Sequence, residues 1–176
     1  DFNVSLGQGT RVWGLAHIRE GAIIGVSCVV GRGSYIGPGV AIGDNCKIQN
    51  NALVYEPAIL GDGVFIGPGA TLTNDLFPRA INPDGDLKSA ADWEPAGVVI
   101  EAGASIGAQA VCIGPVRVGS WAMVAAGAVV TTDVKPFSLV RGVPAHHVGW
   151  VGRAGHPLLP AAGLFRCPET GEEHLE

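Results

Sequence analysis

Val30-Gly31-Arg32-Gly33-Ser34-Tyr35-Ile36-Gly37-Pro38-Gly39-Val40-Ala41-Ile42-Gly43-Asp44-Asn45-Cys46-Lys47-Ile48 carries a branched aliphatic residue at every sixth position. The register extends both ways, through Leu6, Val12, Ile18, Ile24, Val54, Leu60, Ile66 and Leu72. Four residues after each aliphatic position comes a mostly small residue, such as Ala22, Cys28, Ser34, Cys46, Ala52, Ala58 and Ala70. A helix or a flat strand, with periods of 3.6 and 2.0, would not keep these columns aligned. A fixed short period means one unit repeated, each burying its apolar side by stacking on the next. Three short strands per turn of a triangular solenoid satisfy it, with the aliphatic residue pointing inward and the small one filling a corner.

Gly25, Gly31, Gly37, Gly43, Gly61 and Gly67 directly follow aliphatic residues. This pattern resembles the hexapeptide-repeat acyltransferase family, and the resemblance implies an all-β, left-handed parallel β-helix. The hand comes from the family alone, because crossovers between parallel strands are otherwise nearly always right-handed.

The register is lost after Leu72 and returns as Ile100, Ile106, Cys112, Val118, Val124 and Val130, with Ala104, Ala110, Val116, Ala122, Ala128 and Val134 as partners. The intervening segment, about 73–97, holds three prolines and many charged residues and is predicted to leave the coils as a long extruded loop. The hexads make about six coils, a prism roughly 30 Å tall at about 4.8 Å per coil. The expected organisation is a β-helix domain over 1–134 and a cap and tail over 135–176, including a short C-terminal helix.

The chain has 176 residues, a net charge of −5 and only 15% charged residues. No apolar run is long enough to span a membrane and no signal peptide is visible, so a cytoplasmic protein without membrane insertion is expected. Mild acidity argues against nucleic-acid binding, which needs a basic stripe. Cys28 and Cys46 lie one coil apart, within disulfide reach. Free thiols are preferred, because both occupy the small-corner column. Cys167, in Cys-Pro-Glu-Thr-Gly, looks like half a zinc knuckle without its second half, and no metal is expected.

Near the end of the repeats, Ala125-Ala126-Gly127-Ala128 and Val140-Arg141-Gly142-Val143-Pro144-Ala145 resemble the terminal acetyl-CoA-binding segment of hexapeptide acetyltransferases. The resemblance implies acetyl-CoA as co-substrate, with Ala125, Ala126, Gly127, Val143 and Pro144 against its pantetheine arm. A cation nearby would neutralise phosphate, Arg141 first and Lys135 second.

Val12-Trp13 with Ala16-His17-Ile18-Arg19-Glu20-Gly21-Ala22, Lys47-Ile48-Gln49-Asn50-Asn51 with Val54-Tyr55-Glu56, Val64-Phe65-Ile66-Gly67-Pro68 with Thr73-Asn74-Asp75, and Pro78-Arg79 occur in this order. Together they resemble the WbpD/WlbB-type UDP-2-acetamido-3-amino-2,3-dideoxy-D-glucuronate N-acetyltransferases of O-antigen and surface-polysaccharide synthesis. By that resemblance Asn74 holds the sugar amine; Asp75 beside it can accept a proton, with simple solvation of a loop carboxylate as its competing reading. Gln49, Asn50 and Tyr55 contact the sugar, and Arg79 or Lys47 pairs with its carboxylate. Many members of the wider family use a histidine as general base, which adds His17, with a structural role at a corner as its competing reading. The expected assembly is a homotrimer with clefts between prisms.

Three alternatives stand beside this reading. A dTDP-linked 3- or 4-amino hexose would keep the chemistry and change the acceptor, whereas a non-catalytic β-helix binding module would need the repeats alone. A carbonic anhydrase on the same prism would need three converging histidines, and only His17 lies within the coils.

Overall fold

The computed structural model describes residues 1–161 and 163–174. The repeats form a three-faced prism of parallel strands. Its first face stacks Ser5–Leu6, Ile23–Ile24, Ala41–Ile42, Ile59–Leu60, Val98–Ile100 and Val116–Val118. The second stacks Arg11–Val12, Val29–Val30, Lys47–Ile48, Phe65–Ile66, Ser105–Ile106, Met123–Val124 and Ser138–Arg141, then adds His146–Trp150 in antiparallel sense. The third stacks His17–Ile18, Tyr35–Ile36, Leu53–Val54, Thr71–Leu72, Val111–Cys112 and Val129–Val130.

Most strands have two residues, one outward and one inward, because a period of six leaves four residues for each corner. Successive coils pair at 18 residues, as in His17↔Tyr35 and Lys47↔Phe65. Across the extruded loop the pairing jumps to Phe65↔Ser105 and Thr71↔Val111 without disturbing the ladder. The inward column from Ile24 to Val130 is at most 3% exposed at every rung. The corner glycine after it is dictated by close approach: a Cβ on Gly31 would lie 2.5 Å from the backbone nitrogen of Asn50. Side chains of one coil also close the corner below. Asp44 accepts a hydrogen bond from the Val26 N–H at 2.8 Å, Asn50 from Arg32 at 3.0 Å and Asp62 from Asp44 at 2.8 Å.

Two expectations need correction. The ladder is six rungs deep on the first and third faces but eight on the second, because the chain re-enters that face after Pro136. The tail also contains no helix among its described residues. Ser138–Arg141 and His146–Trp150 form an antiparallel hairpin in which Ser138 and Val140 are buried, and Leu159–Ala161, Leu164–Arg166 and Glu173–His174 form a small antiparallel sheet. The free edge of the second face offers a full row of backbone partners, and Gly149, Pro157 and Pro160 disfavour a helix there.

The opposite end has no such cover, so Leu6 and Val12 remain 48% and 42% exposed although they stand in the inward column. All four cysteines are free and buried. Burial pushes the Cys46 and Cys112 thiols up to about 12.

Candidate functional site

The three corners of the prism differ chemically. The corner between the second and third faces is built, coil by coil, from Trp13-Gly14-Leu15-Ala16, Gly31-Arg32-Gly33-Ser34, Gln49-Asn50-Asn51-Ala52, Gly67-Pro68-Gly69-Ala70, Gly107-Ala108-Gln109-Ala110, Ala125-Ala126-Gly127-Ala128 and Arg141-Gly142-Val143-Pro144-Ala145. Neither this corner nor the outward column of the second face contains an Asp or Glu, in a chain that has 16 of them. That face and corner carry Arg11, Arg32, Lys47 and Arg141, all exposed. Among the described residues none of these four cations forms an ion pair. The acids lie at the other corners, in the loop and in the tail, so an acidic protein presents one cationic edge.

The candidate acetyl-CoA residues occupy the upper part of this edge. Ala126, Gly127, Arg141, Val143 and Pro144 are exposed and Ala125 is half-buried, and the Ala125–Ala128 rung offers no side chain beyond Cβ. A Cβ on Gly127 would meet nothing within 4 Å, so the surface there is open. Lys135 lies off this edge, in a cavity of about 390 Å³ over the prism top that His146, His147 and Trp150 also line. There His147 Nδ1 is 3.2 Å from the buried Ser138 hydroxyl.

Lower on the same edge are Gln49 and Asn50, with Lys47 directly beside them on the second face. Asn50 spends its carbonyl oxygen on the Arg32 N–H, which leaves its NH₂ as the free donor. These two residues border a cavity of about 360 Å³ together with Trp13, Val29, Gly31 and Arg32.

Asn74, Asp75 and Tyr55 belong to another corner, between the third and first faces, where the loop leaves. The Asn74 carbonyl accepts the Ala96 N–H at 2.7 Å, and Gly114 N–H reaches the Thr73 hydroxyl at 3.3 Å, so the loop root is pinned from both ends. The Asn74 side chain has no hydrogen-bond partner among the described residues. Asp75 uses one carboxylate oxygen on the Phe77 N–H at 2.9 Å. Arg79 is exposed, and among the described residues its side chain bonds only the Pro78 carbonyl, at 3.1 Å. A cavity of about 420 Å³ beside Asp75 is lined by Leu76, Phe77, Trp93 and Glu94.

Glu56, one coil below Asn74, is a further unusual residue at this corner. Its Oε2 is buried without a hydrogen-bond partner. At the equivalent rung Asp44, Asn50 and Asp62 each cap the N–H 18 residues earlier, but 18 residues before Glu56 stands Pro38, which has no N–H. That proline was the available signal.

His17 is three rungs below Thr71, about 14 Å from the loop root. Its Nε2 is 3.2 Å from the Asp1 carboxylate and its ring meets Tyr35 edge-on at 5.8 Å, while Tyr35 lies 5.1 Å from Tyr55. Beside it, hydrogen bonds from the Arg19 guanidinium hold the Glu20 carboxyl below the usual range. Within one prism, therefore, Asn74, Asp75 and Tyr55 cluster at one corner and Gln49, Asn50 and Lys47 at another. Among the described residues no three His, Cys, Asp or Glu side chains converge as a metal site would require. No helix among them is long and apolar enough to cross a membrane.

Two descriptions of the repeat match the coils: "Bacterial transferase hexapeptide (six repeats)" over residues 39–74, and "Hexapeptide repeat of succinyl-transferase" over 21–56 and 97–132. The chain is 43% identical over 53 residues to a dTDP-3-amino-3,6-dideoxy-alpha-D-galactopyranose 3-N-acetyltransferase of Aneurinibacillus thermoaerophilus, a stretch covering 30% of this chain and 28% of that protein. It spans less than a third of the curated relatives it matches. Among solved structures, a point mutant of AntD, an N-acyltransferase from Bacillus cereus, in complex with dTDP and Coenzyme A, superposes with a TM-score of 0.71 at 18% identity, covering 85% of each chain. PerB from Caulobacter crescentus, in complex with CoA and GDP-perosamine, superposes with a TM-score of 0.59 at 24% identity, covering 80% of this chain and 57% of that one. These likenesses show the shared fold, and with the repeats matched over about half the chain they place it in the hexapeptide-repeat family.

Proposed function

We propose that the protein is an acetyl-CoA-dependent N-acetyltransferase acting on the amino group of a nucleotide sugar. The observation that carries this reading is the acid-free, cationic edge of an otherwise acidic prism. Both proposed ligands are polyanions, and a surface of one sign concentrates them. The relatives named above, N-acyltransferases and proteins bound to CoA and nucleotides or nucleotide sugars, support the same class. We take the acceptor to be a UDP-linked 2-acetamido-3-amino uronic acid, on the residues quoted for the WbpD/WlbB resemblance. The working form in this account is a cytoplasmic homotrimer.

The trimer reconciles the two corners. An axis parallel to the prism keeps every residue at its own height. Asn74 lies at the fourth coil, level with Gly67-Pro68 on the edge, between the Gln49-Asn50 rung below and the Ala125-Ala126-Gly127 rung above. A neighbouring loop root thus comes level with the gap between the two ligand-binding stretches.

Acetyl-CoA supplies the thioester carbonyl. The neutral amine of the sugar forms the new C–N bond, the C–S bond breaks, and the proton lost from nitrogen ends on the departing sulfur. Asn74 accepts one amine N–H through its amide oxygen and so aims the lone pair at the carbonyl. Positioning of this kind can remove about 7–11 kcal/mol of barrier. No nucleophilic side chain is required.

The test is thiol release from acetyl-CoA with the UDP-linked 3-amino uronate beside dTDP-linked 3- and 4-amino hexoses. Release with the UDP uronate alone is expected. Release with only a dTDP sugar would overturn the acceptor and keep the reaction. No release with any of them would overturn the enzyme reading in favour of a binding module.

A further inference from the structure

We infer that Trp13 and Arg32 form, with Gln49 and Asn50, a cleft for the base and diphosphate of a nucleoside diphosphate. This deepens the nucleotide-sugar reading and rests on it for the ligand class. The cleft holds about 360 Å³ and spans the first three coils of the acid-free edge. Trp13 is 58% exposed, and among the described residues only its backbone is hydrogen-bonded, its N–H on the Val30 carbonyl and its own carbonyl on the Ala16 N–H. An indole face left open on a polar edge suits stacking with a planar heterocycle.

Arg32 lies one coil above Trp13 in the same cavity, and its guanidinium has no hydrogen-bond or ion-pair partner among the described residues. Its backbone, by contrast, is held on both sides, by the Asn50 carbonyl oxygen and the Asn51 N–H. A fixed base with a free, forked cation matches phosphate recognition. Lys47, beside Val29 in the adjoining column, adds a second positive charge that forms no ion pair among the described residues. Gln49 and the free NH₂ of Asn50 form the upper rim, where the sugar would begin. The order along the edge is then base, diphosphate and sugar from the first coil upward, meeting the acetyl-CoA stretch above Gly67-Pro68.

Titration of UDP alone, by calorimetry, needs no acetyl transfer and so separates this inference from the enzyme reading. The native protein is expected to bind UDP more tightly than uridine. Arg32→Ala is expected to weaken UDP about tenfold and leave uridine unchanged. Trp13→Ala is expected to weaken both about tenfold, and Trp13→Phe to restore most of the loss. Both side chains point away from the core, so thermal midpoints should stay at the native value and show that the variants fold. UDP binding that neither alanine variant alters would overturn the inference, whether or not acetyl transfer is found. Failure of UDP, dTDP and GDP to bind a protein that does bind acetyl-CoA would overturn it as well.

Discussion

Ile66→Ala is expected to lower the unfolding free energy by about 2–5 kcal/mol, measured by urea denaturation at one fixed protein concentration. Ile66 is fully buried on the second face at the fourth coil, packed between Ile48 below and Ile106 above. The solenoid has no second layer that could collapse into the space left by three carbons. Stacked coils contact only their neighbours, so the loss is felt where the chain spans the loop. The same truncation at Leu6 is expected to cost under about 1 kcal/mol, because its side chain already lies half in water. Equal effects at the two positions would contradict the account of the core as one continuous inward column.

Asn74→Ala is expected to lower kcat/KM for acetyl transfer by about 10²- to 10³-fold, the range for losing one preorganised amide at an acyl-transfer site. The thermal midpoint should hold, since the contact that pins the loop root uses the backbone carbonyl of Asn74 and not its side chain. A loss mainly in kcat would fit a group that aims the amine at the thioester. A rise in KM alone would reduce Asn74 to uniform substrate binding, and no change would remove it from the site. Glu56 sharpens the comparison, because its orphaned oxygen lies one coil below, where Pro38 has no N–H to offer it.

The inward column was legible from Leu6 to Leu72 and again from Ile100 to Val130, because within each run its positions repeat at one spacing and need one residue class. The corner glycines were legible for the same reason. The tail was not, since the choice between helix and hairpin there depends on a free strand edge 16 residues away in sequence, as in Met123↔Leu139, which local propensity does not record. Asn74, Asp75 and Tyr55 could be placed at one corner by counting in eighteens, and so could the separation of Gln49 and Asn50 from them. Trp13 and Arg32 fit the repeat as ordinary corner residues, and only the absence of acids from every third hexad, open to the same count, marks their edge as distinct. Glu56 escaped because its peculiarity lies in a partner, Pro38, that becomes its neighbour only once the coil closes.

The most direct test of the central claim, that the acid-free edge binds the acetyl donor, is calorimetric titration of acetyl-CoA into the native protein and into Ala126→Trp. Ala126 is exposed on that edge, so an indole there fills the proposed track of the pantetheine arm without entering the core. Binding to the native protein, and its loss in a variant with the native thermal midpoint, is the expected result. Unchanged acetyl-CoA affinity in Ala126→Trp would contradict the assignment of this edge.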